Sequence, residues 1–193
     1  MVAPLHGLGQ PSAWLKKWQH LMTPAGHVLD VACGAGRHTR HLLAHGFDVT
    51  AVDKDAAALA HLSDTPAQRL LADLEVGTWP FAPNQFDAAV MTNYLWRPLF
   101  GSLIASLKPG GVLVFETFAL GQESIGKPSR PAFLLAPNEA LTLCAPLRVV
   151  AYENGFEDAQ HSSNATVSDR FVQRIVAVKE HKLGAATPRY LLP

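Results

Sequence analysis

Short apolar runs alternate with amphipathic stretches along this chain, and the alternation predicts most of its elements. Val28, Leu29, Val31 and Ala32 make a near-continuous apolar run inside His27-Val28-Leu29-Asp30-Val31-Ala32-Cys33-Gly34-Ala35-Gly36-Arg37-His38. Such a run is expected of a parallel strand buried on both faces. Comparable runs predict strands over 47–53, 69–72, 86–91 and 112–118, and two more over 147–153 and 170–178. Helices are expected over 37–45, 55–62, 98–107 and 137–144. Ahead of the first strand, Trp14, Leu15, Trp18, Leu21 and Met22 fall at i, i+1, i+4, i+7 and i+8, one face of a helix with Ser12 as its N-cap. That helix either packs on the sheet or forms a lid over a ligand, with Trp14 as the lid residue.

Strands alternating with helices predict an α/β fold, a doubly wound, mostly parallel seven-stranded sheet. No helix-length segment separates the last two strands, so they should close the sheet as an antiparallel C-terminal hairpin. Residues 1–182 are expected to form a single domain, with an N-terminal arm and helix over 1–25 and a tail over 183–193. Lys108-Pro109-Gly110-Gly111 reads as a breaker turn before the fifth strand. The patternless stretch 119–136 reads as a long loop, functional or mobile.

Composition narrows the partners. At 193 residues the chain is long enough to bury a core. Sixteen basic residues balance sixteen acidic ones, without a Lys/Arg block, so no nucleic-acid partner is expected. No apolar run reaches the ~18 residues of a membrane helix, and the first residues lack the basic and apolar regions of a signal peptide. Cys33 and Cys144 read as apolar fillers rather than a disulfide pair, which suits a cytoplasmic location.

Ligands of such sheets bind beyond the carboxyl ends of the strands. Those ends carry residues 30–36, Asp53, Asp73, 92–94 and 116–118. Gly34 and Gly36 permit a sharp turn into a helix N-terminus, where unpaired N–H groups face outward. Asp53 follows the turn by about 20 residues, the spacing of an acid that accepts from ribose hydroxyls; it also suits a cap on the next helix, with Asp55. Asp73 is placed to accept from an adenine amine, or is a solvated turn acid. A dinucleotide fingerprint requires a third glycine where Thr39 stands.

Taken together, Val28-Leu29-Asp30-Val31-Ala32-Cys33-Gly34-Ala35-Gly36 resembles the first motif of class I S-adenosylmethionine-dependent methyltransferases. The resemblance continues through Asp53, Asp73-Leu74, Phe86-Asp87 and Lys108-Pro109-Gly110-Gly111, covering about residues 26–118; in size and first motif the chain is also similar to the compact tellurite-resistance type. It implies S-adenosyl-L-methionine as cofactor. Asp30, Ala32, Cys33, Gly34 and Gly36 would hold its methionine end, Asp53 its ribose, Asp73 and Leu74 its adenine, Asn93 would lie beside the sulfonium, and Lys54 would also contact the cofactor.

Methyl transfer asks mainly for an acceptor aligned with the S–CH₃ bond and for exclusion of water. A general base is needed only where the acceptor must lose a proton, and Tyr94, Glu116 and His38 are the candidates. Glu116 reads equally as a strand-end acid paired with an arginine, and Tyr94 as a packing residue. His38, His41 and His45 share a helix face; without a supporting acid or cysteine pair they suggest a solvated face, and no metal is expected. Lys127 and Arg130 either clamp an anionic substrate or keep their loop soluble. Trp96 and Arg97 face either an acceptor pocket or helix packing. The expectation is thus an S-adenosylmethionine-dependent methyltransferase acting on a small molecule by in-line transfer. An NAD(P)-dependent oxidoreductase and a non-catalytic nucleotide-binding module are the alternatives.

Overall fold

The apolar run at 28–31 lies in the middle of the sheet, where both faces of a strand are covered and alternation is not required. In the computed structural model, which describes residues 9–160, 168–181 and 188–193, the strands are β1 His27–Val31, β2 Asp48–Asp53, β3 Gln68–Leu71, β4 Phe86–Thr92, β5 Leu107–Phe118, β6 Arg148–Glu157 and β7 Arg170–Val178. They form one sheet in the order β3-β2-β1-β4-β5-β7-β6. The first five are parallel, and β7 runs antiparallel to both β5 and β6. The expected arm before residue 9 and residues 183–187 of the expected tail lie outside the described residues.

Helices α1 Ala13–Trp18, α2 Arg37–Ala44 and α3 Ala56–Ala60 precede β1, β2 and β3; α4 Phe100–Ser106 and α5 Glu139–Leu143 follow β4 and β5. On one face of the sheet, Trp14, Leu15, Trp18 and Leu42 pack on Val28, Val49, Val90 and Val114. On the other, Phe100, Leu103 and Ala140 pack on Leu29, Met91, Phe115 and Ile175. Strand alternation sends neighbouring residues to opposite cores. Asp30 therefore faces the α2 side, like Val28.

Three elements differ from expectation or resolve an open alternative. The first helix ends at Trp18 and tightens into a 3-10 turn over Gln19–Leu21, because Thr23-Pro24 bars further helix. Its Trp14 is buried, and the indole N–H donates to the Ile175 carbonyl at 3.3 Å, so the residue packs on the sheet rather than serving as a lid. The breaker at 108–111 is a bulge within β5: Phe86 pairs with Leu107 and Ala88 with Val112, so four residues of β5 stand opposite Asp87 alone. Gly110 N–H donates to Lys179 O at 2.6 Å and Lys179 N–H to Gly111 O at 2.9 Å, which carries the ladder past the bulge. Finally, the 119–136 loop is tied down. Ala119 bridges Leu135 at its base, 3-10 turns form at Gln122–Ser124 and Pro131–Phe133, and the buried Gln122 accepts from Phe171 N–H at 2.9 Å.

Candidate functional site

The chain leaves β1 through a turn with three left-handed residues, Ala32 (φ 52°), Gly34 (φ 57°) and Gly36 (φ 86°). A Cβ on Gly36 would lie 2.3 Å from Leu62 Cδ2, so this glycine serves packing against the segment after α3. Thr39, at the third position of a dinucleotide fingerprint, is fully buried and donates its hydroxyl to Asp30 Oδ2 at 2.6 Å. Asp30 thus fastens α2 to β1 from beneath the turn; burial raises its carboxyl pKa to about 6. Cys33 is buried beside it, its thiol pushed up by burial and by the charges of Asp30 and Asp53, and its N–H donates to Val52 O at 3.1 Å.

Above the turn lies a cavity of about 280 Å³ lined by Ala32, Gly34, Asp53, Lys54, Asp73 and Leu74. Asp53 Oδ2 accepts Gly34 N–H at 2.7 Å and Oδ1 accepts Asp55 N–H at 2.9 Å, while Asp73 Oδ1 accepts Glu75 N–H at 2.9 Å. An ionised carboxylate has about four acceptor sites. Both acids therefore keep lone pairs for ligand donors, beside an apolar wall that includes Ala58, Ala72 and Leu74. Lys54 Nζ sits 3.5 Å from Glu75 Oε1 and 4.0 Å from Asp73 Oδ2. Acids for vicinal hydroxyls and an amine, an apolar slot for a ring, and a turn bare of side chain at Gly34 fit S-adenosyl-L-methionine.

Tyr94 and Glu75 stand in the walls of both this cavity and a larger one of about 690 Å³. Burial, with Glu75, Asp73 and Asp53 nearby, raises the Tyr94 phenol above its ordinary value, so it stays protonated near neutrality. Asn93, left-handed at φ 54°, donates its N–H to Glu116 O at 2.9 Å. It lines the larger cavity and a polar pocket of about 180 Å³ that also holds Ser12, Arg37, Glu116 and Arg170.

Glu116 is 1% exposed and ion-paired: Arg174 Nε lies 2.7 Å away, Arg170 Nη2 3.4 Å, and Ser12 Oγ donates at 3.0 Å. Glu157 completes the cluster with both arginines. This is the ion-paired reading of Glu116. His38 is equally occupied. Its Nε2 accepts Ser12 N–H at 3.2 Å, and burial, with the Arg37 charge, lowers its pKa to about 3. It anchors the segment before α1 as a neutral imidazole. Because His38 is buried, His38, His41 and His45 do not share a solvated face; His41 meets Gln19 Oε1 at 2.7 Å, and its ring lies 4.2 Å from that of His45, tilted by 42°. Among the described residues no group of three His, Cys, Asp or Glu side chains is arranged to hold a metal ion.

Arg97 lies outside these cavities. It grips Glu139 at 2.6 and 2.9 Å and the carbonyls of Ala132 and Leu134 at 2.8 and 2.9 Å, holding the 119–136 loop to α5. Sequence reasoning missed Glu75 and the Arg170–Arg174 pair. Glu75 stood two residues past a chosen acid. The arginines meet Glu116 through the β5–β7 register, in which Glu116 pairs with Arg174, and register between distant strands leaves no local signal.

Comparison with known proteins agrees with this geometry. Residues 28–111 match a family described as a methyltransferase domain. Malonyl-[acyl-carrier protein] O-methyltransferase of Enterobacter lignolyticus is 34% identical over 97 residues, 48% of this chain and 39% of that protein. Ribosomal RNA small subunit methyltransferase C of Alcanivorax borkumensis is 31% identical over 49% of this chain and 33% of its own length. The chain spans less than half the length of the curated relatives it matches. In fold it is similar to a SAM-dependent methyltransferase from Methanosarcina mazei (TM-score 0.68, 17% identity, 89% of this chain and 99% of that one). It is similar also to TehB from Haemophilus influenzae (TM-score 0.65, 19% identity, 80% and 58%). The ribosomal RNA relative removes the ground for excluding nucleic acid on neutral charge alone.

Proposed function

We propose that this chain, whose residues 28–111 match a methyltransferase domain, is a class I S-adenosylmethionine-dependent methyltransferase that transfers a methyl group in line to a small-molecule acceptor held in the 690 Å³ cavity. The observation that carries the reading is the pair of half-free acids, Asp53 and Asp73, around the glycine turn, in a groove that shares Tyr94 with a second, larger cavity. Bound S-adenosyl-L-methionine supplies an electrophilic methyl group on a sulfonium, which needs no activation by the protein. Asp53 accepts from the ribose, Asp73 with Leu74 receives the adenine, and Ala32 and Gly34 present the open side of the turn to the methionine end. Tyr94 and Glu75 stand at the junction of the two cavities, Asn93 lines the larger one, and Tyr94 with Phe118 screens it from water. Glu116 and His38 act as positioning residues, since both fix Ser12 and with it the N-terminal wall. Residues 1–182 act as one domain with 183–193 as its tail, in the cytoplasm, where Cys33 and Cys144 stay as buried free thiols.

The test is calorimetric titration with S-adenosylhomocysteine beside NADH and NADPH. The homocysteine compound alone should bind, and Asp53→Ala should weaken it at least tenfold, since hydrogen bonds to a charged group are worth ~1.5–3 kcal/mol each. Binding of a nicotinamide alone, or an unchanged affinity in Asp53→Ala, overturns the reading. Steeply salt-dependent RNA binding would move the acceptor to nucleic acid.

A further inference from the structure

We propose that the acceptor is a carboxylate on an apolar body, its anionic end held by Lys127 and Arg130 at the loop side of the larger cavity. This rests on the methyltransferase reading of that cavity and names the substrate class it takes.

The walls are mostly apolar, with Leu95, Phe118 and Phe133 prominent, so an acceptor gains its affinity there from a hydrophobic body. Lys127 and Arg130 stand in the same wall. Six other cations are held in ion pairs: Arg40 by Asp64, Arg97 by Glu139, Lys108 by Asp87, Arg148 by Glu180, and Arg170 and Arg174 by glutamates. Neither Lys127 nor Arg130 forms an ion pair among the described residues. The acid of this cavity, Glu75, is met by Lys54 at 3.5 Å on its other side. Two positive charges therefore stand in the wall of a mostly apolar cavity whose acid, Glu75, already has Lys54 as its ion-pair partner.

Their loop is also held in place. Ala119 bridges Leu135, Gln122 Nε2 donates to Lys127 O at 3.3 Å, and Arg97 binds the carbonyls of Ala132 and Leu134. The two cations are thus presented from an anchored backbone, which lowers the ordering cost of binding. A guanidinium fork beside an ammonium suits a carboxylate.

Calorimetry on the protein saturated with S-adenosylhomocysteine tests this, using benzoate, phenylacetate and cinnamate, each beside its own primary amide. At least one acid should bind about tenfold tighter than its amide, the scale of one charge-assisted contact. The double variant Lys127→Ala/Arg130→Ala should erase the preference while keeping its affinity for S-adenosylhomocysteine and its melting temperature. The proposal is overturned if the amides bind as well as the acids, if no acid binds, or if the preference survives in the double variant. Failure of the methyltransferase reading shows separately, as absence of S-adenosylhomocysteine binding in the parent protein.

Discussion

Asp30→Asn should flatten the pH dependence of stability between about pH 4 and 6. In the folded protein the Asp30 carboxyl is fully buried and titrates near 6 instead of 3.8, with burial as the largest cause and the Thr39 hydrogen bonds opposing it. A raised carboxyl pKa means that the native state binds more protons than the unfolded chain between 3.8 and about 6. Stability from this group is therefore greatest below 3.8, falls as pH rises through that window, and is level above it. At ~1.4 kcal/mol for each tenfold change in proton affinity, the gap amounts to about 3 kcal/mol. Asparagine keeps an acceptor for the Thr39 hydroxyl and carries no charge, so the variant lacks this fall. Urea unfolding at half-unit steps from pH 4 to 8 reads it directly: the stability of the variant minus that of the parent should rise by about 3 kcal/mol up to about pH 6 and then stay constant. Parallel curves for the two proteins would refute the buried, protonatable Asp30 and its role as the fastener of α2.

Gly36→Ala should cost about 2–4 kcal/mol in urea unfolding, from a left-handed backbone and a Cβ forced against the fully buried Leu62; a loss below about 0.5 kcal/mol would mean the turn relaxes freely. Glu116→Ala should lower stability by about 3 kcal/mol, because the partly buried Arg170 and Arg174 are left with one carboxylate fewer. If chemical denaturation shows no loss, the cluster is more hydrated than its burial implies.

The order of elements and the corner at Gly34 were legible because both are local. Apolar runs report burial on two faces, and a glycine pair between strand and helix reports a turn wherever it is placed. The positions of Asp53 and Asp73 were legible for a related reason, since each lies at or just past the end of a strand and strand ends gather at one edge of a parallel sheet. The partners of Glu116, His38 and Asp30 were not. Nothing near Glu116 in the chain predicts Arg174, which reaches it only when β7 inserts antiparallel beside β5. His38 looked like one of three surface histidines until Ser12, from 26 residues away, closed over it. Lys108-Pro109-Gly110-Gly111 carries the chemistry of a turn, yet pairing with the chain at Lys179 holds it as a bulge in a strand. Short-range sterics and burial pattern were enough to set the alternating fold and the glycine corner after β1. Tertiary structure alone decided which ionisable groups are free to meet a ligand and which are bound to one another, because burial and pairing between distant segments set the charge and reach of each.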